Sequence, residues 1–238
     1  MEVMKKCLLY FMLFSIWSCG KDDESIRRSQ FLQPFHSIVL NDSFEVYLIE
    51  GSEYKVEVEG AASFIDKMKY TITDSVLTIS NERKLKWNDP KDNRLLLWIT
   101  SPALKLLTAN ETCDIKTINP ITTHEFGIVL GSKANVADIE VNNQVTFYWN
   151  VFPCGGKVTF RGRSKELKLW NTAIMSVDAT ALTAEYALVD NKSKEDCSVH
   201  VSGLLEYEIN GEGDVVVFGQ PSALIDRGSS NSGRLILK

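Results

Sequence analysis

Three segments share one spacing: Val158-Thr159-Phe160-Arg161-Gly162, Val199-His200-Val201-Ser202-Gly203 and Val215-Val216-Val217-Phe218-Gly219. An apolar residue at every second position, closed by a glycine, is the pattern of a short half-buried strand that runs into a tight turn. Each is the second half of a longer unit. Units open at Leu104, Phe126, Val145, Leu167, Tyr186 and Leu205, in steps of 19 or 22 residues. Each begins with an apolar pair two apart: Leu104/Leu106, Phe126/Ile128, Val145/Phe147, Leu167/Leu169, Tyr186/Leu188 and Leu205/Tyr207. Two short strands and two turns in some twenty residues are what one coil of a β-solenoid needs, each coil pairing with the next about 4.8 Å away. A β-sandwich, whose strands also recur at short intervals, is the alternative.

The solenoid register predicts a column of corner residues: Cys113, Ala134, Gly156, Met175, Cys197 and Gly213. Ahead of the repeats, period-two runs at Phe35/Ile38/Leu40, Phe44/Val46/Leu48 and Tyr54/Val56/Val58 are separated by the turns Asn41-Asp42-Ser43 and Glu50-Gly51-Ser52. Tyr70–Thr73 and Val76–Ser80 flank Asp74-Ser75 as a hairpin, Ser63–Lys69 fits one helical turn, and Asn81–Arg94 reads as a charged loop. The expectation is an all-β chain: a single-stranded β-helix over residues 34–238 with an antiparallel β-hairpin region at its N-terminal end.

Residues 1–18 have the layout of a secretory signal: lysines at Lys5 and Lys6, an apolar run over Cys7–Trp17, then the small residue Ser18. The run is too short to span a bilayer as a helix. Ile16-Trp17-Ser18-Cys19 resembles a bacterial lipobox, with Trp17 departing from the residue type usual there, and implies lipidation at Cys19. The acidic run Asp22-Asp23-Glu24 resembles the surface-export signal of Bacteroidetes lipoproteins. Residues 19–33 are then a lipidated tether. The expected location is the outer membrane, on the cell surface, with the N-terminal lipid as the contact with the membrane.

Losing Lys5, Lys6 and Glu2 with the signal moves the net charge from −5 to −6. A mildly acidic chain has no basic footprint for phosphate, so nucleic acid is not an expected partner. Cys113, Cys154 and Cys197 remain beyond the lipidated residue, without a CxxC spacing, and are expected as small buried hydrophobes.

Phe35-x-x-Ile38-x-Leu40, Phe44-x-Val46-x-Leu48, Gly51, Tyr54-x-Val56-x-Val58-x-Gly60, Leu77-x-Ile79 and Ile99-Thr100-Ser101-Pro102-x-Leu104 occur in this order. Together they resemble the head GIN domain family, the autotransporter-type adhesins common among Bacteroidetes lipoproteins, over about Phe35 to Lys238. The resemblance implies a β-helical fold and a role in cell-surface adhesion. It implies no active-site residues.

In the repeat register Val129, Tyr148, Trp170 and Val189 fall at positions pointing away from the core pair. They would stack as an exposed apolar stripe suited to a glycan or a protein partner. Asp196 and Glu212 would face one another on adjacent coils with Asp214 near, a candidate site for a metal or for acid–base work. His36, His124 and His200 are far apart, no nucleophile elbow or metal motif occurs, and no cofactor is expected. Asn41, Asn110 and Asn191 open N-glycan sequons, and Asp74-Ser75-Val76 is similar to the O-glycosylation motif of Bacteroidetes. The sequence thus points to a non-catalytic surface lipoprotein that binds glycans or proteins. A polysaccharide-active β-helix enzyme, with Arg161 or Arg163 as cations, and a structural envelope protein acting as a homo-oligomer are the alternatives.

Overall fold

The computed structural model describes residues 25–83, 95–230 and 232–238. The signal, Cys19, the acidic run and most of the expected charged loop lie outside them. The chain is a parallel β-solenoid of about six turns.

Along one face β2 (Ser37–Leu40), β8 (Leu106–Ala109), β10 (Glu125–Leu130) and residues 145–150 of β11 (Asn135–Asn150) stack in parallel register. The ladder continues into β12 (Gly155–Ser193), β13 (Cys197–Ile209) and β15 (Ala223–Asp226). Along the other face β3 (Glu45–Glu50), β9 (Asp114–Thr117) and residues 135–143 of β11 lead into β12, then β13, β14 (Val215–Phe218) and β16 (Leu235–Leu237). Leucine, isoleucine, valine and phenylalanine from alternate positions of both faces fill the space between them.

The N-terminal end is built differently. The coil formed by β2 and β3 comes first in the sequence but second in the stack. The chain leaves it through β4 (Lys55–Ala61), the one-turn helix α1 (Ala62–Ile65) and β5 (Met68–Thr73). It then lays β6 (Val76–Asn81) and β7 (Leu96–Ser101) parallel onto β2 and β3. Among the described residues antiparallel pairing is confined to this end, where β5 joins β6 and β4 joins β7. The β5–β6 turn places Asp74 and Ser75 at positive φ, as a tight two-residue hairpin demands. Ser25–Gln33, read from sequence as tether, instead supplies β1 (Ser25–Phe31), paired antiparallel with β4. The helical turn expected over Ser63–Lys69 is shorter, since Met68 already belongs to β5. Ile65 of α1 is buried in the core, and Phe64, Met68, Tyr70 and Ile72 pack against it.

The shared glycine of the three diagnostic segments has one cause. A Cβ on Gly162 would lie 2.1 Å from the carbonyl oxygen of Val141, one on Gly203 2.4 Å from that of Glu185, and one on Gly219 2.6 Å from that of Val201. In each case the obstacle is the backbone of the preceding coil, which cannot move without breaking the ladder. Gly162 and Gly219 also sit at φ +98° and +91°.

Inward polar residues stitch the corners. Asn150, Asn171 and Asn191 occupy successive coils at the end of the first face, each buried. Asn171 Nδ2 donates to the carbonyl of Met175 at 2.8 Å and to Oδ1 of Asn191 at 3.1 Å. Asn191 Nδ2 donates to the carbonyl of Gly213 at 3.0 Å, and Asn150 exchanges bonds with the backbone of Thr172. These amides satisfy turn backbone that the core would otherwise leave unpaired. Asn191 is therefore a structural residue inside the solenoid, not an accessible sequon.

Of the expected small-residue column, only Cys113 and Gly156 share a register, with Asn135 rather than Ala134 between them. Cys113 lies opposite Asn135, whose Oδ1 accepts its N–H at 3.1 Å, and Asn135 pairs with Gly156. Elsewhere the ladder is offset: Val177 and Val215 flank Cys197, and Ala134 is exposed. Cys113, Cys154 and Cys197 are free and buried.

Gly162→Ala should lower stability by about 2 kcal/mol or more, because strain at positive φ adds to the clash with Val141, and thermal melting measures it. Burial pushes the Cys113 and Cys197 thiols from 9.0 up to about 12. Their protons are held more tightly folded than unfolded, so this stability is full below about pH 9 and lost as pH rises toward about 12. In a residue 20–238 form no thiol should react with an aromatic disulfide at neutral pH until denaturant exposes all three.

Candidate functional site: an outward aromatic face

The ladder fixes which side chains leave the first face. Gly127 pairs with Phe147 and Phe147 with Lys168, while Val129 pairs with Trp149 and Trp149 with Trp170. Residues between them along the strand point inward: Phe126, Ile128 and Leu130 are fully buried, as are Leu167 and Leu169. Phe147, Trp149 and Trp170 therefore share one outward surface on consecutive coils.

This corrects the expected stripe. Val129 and Trp170 lie on the outward side, but Val129 is not exposed as the stripe requires, and Tyr148 and Val189 are fully buried inside. Tyr148 packs edge-on to Phe160 with ring centroids 6.4 Å apart, and its hydroxyl has no hydrogen-bond partner. The cause is a slip of one residue. The inward positions of those coils are Thr146 and Ala187, which are not large hydrophobes, so apolar spacing alone points to Val145/Phe147 and Tyr186/Leu188 as the core pairs. Moving the register by one reverses every side chain of a strand. Thr146 can sit inside because its hydroxyl donates to Asn143 Oδ1 at 3.0 Å.

Phe147 and Trp149 are the functional candidates the sequence reading missed. They are two apart on one strand and their rings stack at 6.0 Å with an interplanar angle of 24°. The signal was present in the run Phe147-Tyr148-Trp149, where strand alternation must send the first and third rings to one side. Gly127 makes the arrangement possible, since a Cβ there would lie 2.1 Å from the Phe147 ring. The ring occupies the space a side chain would fill. Trp149 is 39% exposed, and the surface continues past the strand end through Val151 at 52% and Phe152 at 78%. Val129 keeps only 6% of its surface open between its outward neighbours.

A charged border follows on the next coils. Lys168 lies 2.8 Å from Glu166, which raises the Lys168 ammonium and holds the Glu166 carboxyl below its ordinary value. Lys192 pairs with Asp190 at 2.7 Å and Arg227 with Glu206 at 3.5 Å. Flat apolar rings beside fixed donors and acceptors make a surface that can stack on one side of a ligand and orient it by hydrogen bonds.

The acidic candidates are engaged otherwise. Asp196 accepts the backbone N–H of Asp214 at 2.8 Å, Asp214 accepts that of Arg234 at 2.8 Å, and Glu212 lies 3.8 Å from Lys194. Among the described residues no group of three or more histidine, cysteine or carboxylate side chains is placed to hold a metal ion. Arg161 is paired with Asp138 at 3.1 Å, away from these carboxylates.

The family described as "Putative auto-transporter adhesin, head GIN domain" matches residues 34–221. Among solved structures, a putative adhesin of Bacteroides fragilis superposes with a TM-score of 0.77 at 17% identity, covering 90% of this chain and 97% of that one. A putative adhesin of Parabacteroides merdae gives 0.60 at 14% identity, covering 91% and 97%. A protein of Parabacteroides distasonis described as a putative lipid binding protein gives 0.56 at 13% identity, covering 90% and 98%. These likenesses establish the fold. No curated protein matches the chain.

Gly127→Leu should drive the Phe147 ring off the face at a cost of about 1–3 kcal/mol. Near-ultraviolet circular dichroism should report the lost Phe147–Trp149 stacking while the far-ultraviolet strand signal persists.

Proposed function

The chain belongs to the head GIN domain family of putative auto-transporter adhesins, and on that premise we propose that it is a non-catalytic surface lipoprotein that binds glycans through Phe147, Trp149 and Trp170. The observation that carries this reading is the outward stacking of these rings beside the Lys168/Glu166 and Lys192/Asp190 pairs. Sugar rings have apolar faces that stack on flat aromatics and hydroxyl groups that bond to fixed charged partners, and both complements stand side by side here. A two-face solenoid suits the task, because its outward positions are free of the core and a binding surface can extend over several coils.

Lipidation at Cys19 and an outward-facing location on the outer membrane are part of the same proposal, supported by the ordered charge, apolar and small-residue zones of residues 1–18 and by the adhesin description of the family. The enzyme alternative has less behind it, since Asp196, Glu212 and Asp214 are each tied to a backbone amide or a cation.

A residue 20–238 form applied to an array of bacterial and host glycans should bind a subset. Trp149→Ala combined with Trp170→Ala should weaken that binding about 10-fold or more, as two aromatic contacts of roughly 1 kcal/mol each imply. Undiminished binding by the folded double variant would place the site elsewhere. Protease treatment of intact cells should remove the protein while a periplasmic control survives; protection of both would end the surface assignment.

A further inference from the structure

The outward charges of the first face can be followed coil by coil. From β10 to β15 the carboxylates are Glu125, Glu166, Asp190, Glu206 and Glu208, and the cations are Lys168, Lys192 and Arg227. Each of these cations is held by a carboxylate of the same face: Lys168 by Glu166 at 2.8 Å, Lys192 by Asp190 at 2.7 Å and Arg227 by Glu206 at 3.5 Å. Glu125 and Glu208 are left over, so the face around the rings has more negative than positive charge. Cations at its borders are turned to other carboxylates. The Glu166 carboxyl is held below its ordinary value first by the Lys168 hydrogen bond and further by the charges of Lys165 and His124 at the neighbouring corner. Lys133, at the opposite corner, lines a groove on the edge of the second face together with Glu111 and Asp114.

This arrangement treats charged and uncharged ligands differently. A surface ion pair is worth only about 0–1 kcal/mol, so a ligand anion can displace the carboxylate from a lysine. The displaced carboxylate then stays uncompensated within the same site, inside the Debye length of about 10 Å, and nothing net is gained. A sugar hydroxyl meets no such cost, since it donates to a carboxylate or accepts from an ammonium while the pair stays intact.

We propose that the Phe147/Trp149/Trp170 face selects uncharged glycans and rejects those that carry carboxylate, sulfate or phosphate groups. This inference rests on the glycan-binding reading above and gives the ligand of that site its chemical class. The selectivity is exclusion as much as attraction: the rings stack on any sugar with an apolar face, and the pairing of Lys168, Lys192 and Arg227 denies an acidic sugar the cation it needs.

The test uses the residue 20–238 form and matched probes: sialylated glycans before and after sialidase treatment, and dextran beside dextran sulfate. Binding that depends on Trp149 and Trp170 should fall on the neutral member of each pair, with the acidic member about 10-fold weaker or more. Affinity for the neutral member should change less than about 2-fold between about 50 mM and about 500 mM salt, because no counterion is released. Glu166→Gln combined with Asp190→Asn leaves Lys168 and Lys192 unpaired. In that variant the acidic member should gain about 10-fold or more and its binding should weaken with salt, while near-ultraviolet circular dichroism verifies that the Phe147–Trp149 stacking persists. Tryptophan-dependent binding that favours the acidic member, or that falls steeply with salt in the unaltered chain, overturns this proposal and leaves the glycan-binding reading standing. A folded double variant that gains nothing for the acidic member also overturns it. Binding of neither member of any pair ends both.

Discussion

Everything in this molecule rests on the parallel main-chain ladder between coils about twenty residues apart. Each backbone N–H and C=O of a coil bonds upward or downward, so the separation between neighbours is fixed by hydrogen-bond length and cannot adapt to side-chain bulk. At several corners where the chain crosses the preceding coil, only hydrogen fits at the α-carbon. Gly162, Gly203 and Gly219 meet a carbonyl oxygen in that way, and Gly156 meets the carbonyl of Asn135. The repeat visible in the sequence is the record of this constraint more than of the hydrophobic core, which accepts Ala179 opposite Val199 and Ala187 opposite Leu205.

The same ladder explains what could be read in advance and what could not. The fold class followed from paired strands at a coil-length interval, and Leu104, Phe126, Leu167 and Leu205 were correctly placed as core. Register failed at Leu106, Val145 and Tyr186, because coil length varies at the corners and nothing local fixes where a turn ends. Apolar spacing then chose the wrong face wherever the inward site was small or polar. Thr146 is legible as an inward residue only once Asn143 is known to accept its hydroxyl hydrogen. The N-terminal wrap was hidden for another reason. β6 and β7 pair with strands some forty to fifty residues earlier, and no periodic signal marks a coil that is inserted ahead of its predecessor in the stack.

Polar residues inside the solenoid divide into two kinds. Asn150, Asn171 and Asn191 form an internal series whose amides reach the backbone of the next turn, so each coil helps to satisfy its neighbour. Removing one would leave carbonyl groups without partners in the core, which costs more than the bond itself contributes. Tyr148 is of the other kind. Its hydroxyl is buried without a partner, and burial raises its pKa further beyond the ordinary phenol range. The ring is kept for its volume against Phe160, and the hydroxyl is a cost that packing has to offset.

Because the ladder and the internal asparagines carry stability, the outward positions are released from it, and the chain uses them unevenly. On the first face, Phe147 lies flat in space that Gly127 leaves open, and Trp149 and Trp170 follow on adjacent coils. On the second face, outward Tyr47 and Trp98 are also stacked, at 5.3 Å, but Arg27 of β1 sits over Trp98 at 4.1 Å. An aromatic pair on that face therefore already has a cation from its own chain above it, and β1 helps to fasten the N-terminal end. Among the described residues no cation lies over Trp149 on the first face. The asymmetry follows from the N-terminal wrap, which lays β1 and β4 beyond β7 on one side of the solenoid and leaves the aromatic surface of the other side facing solvent.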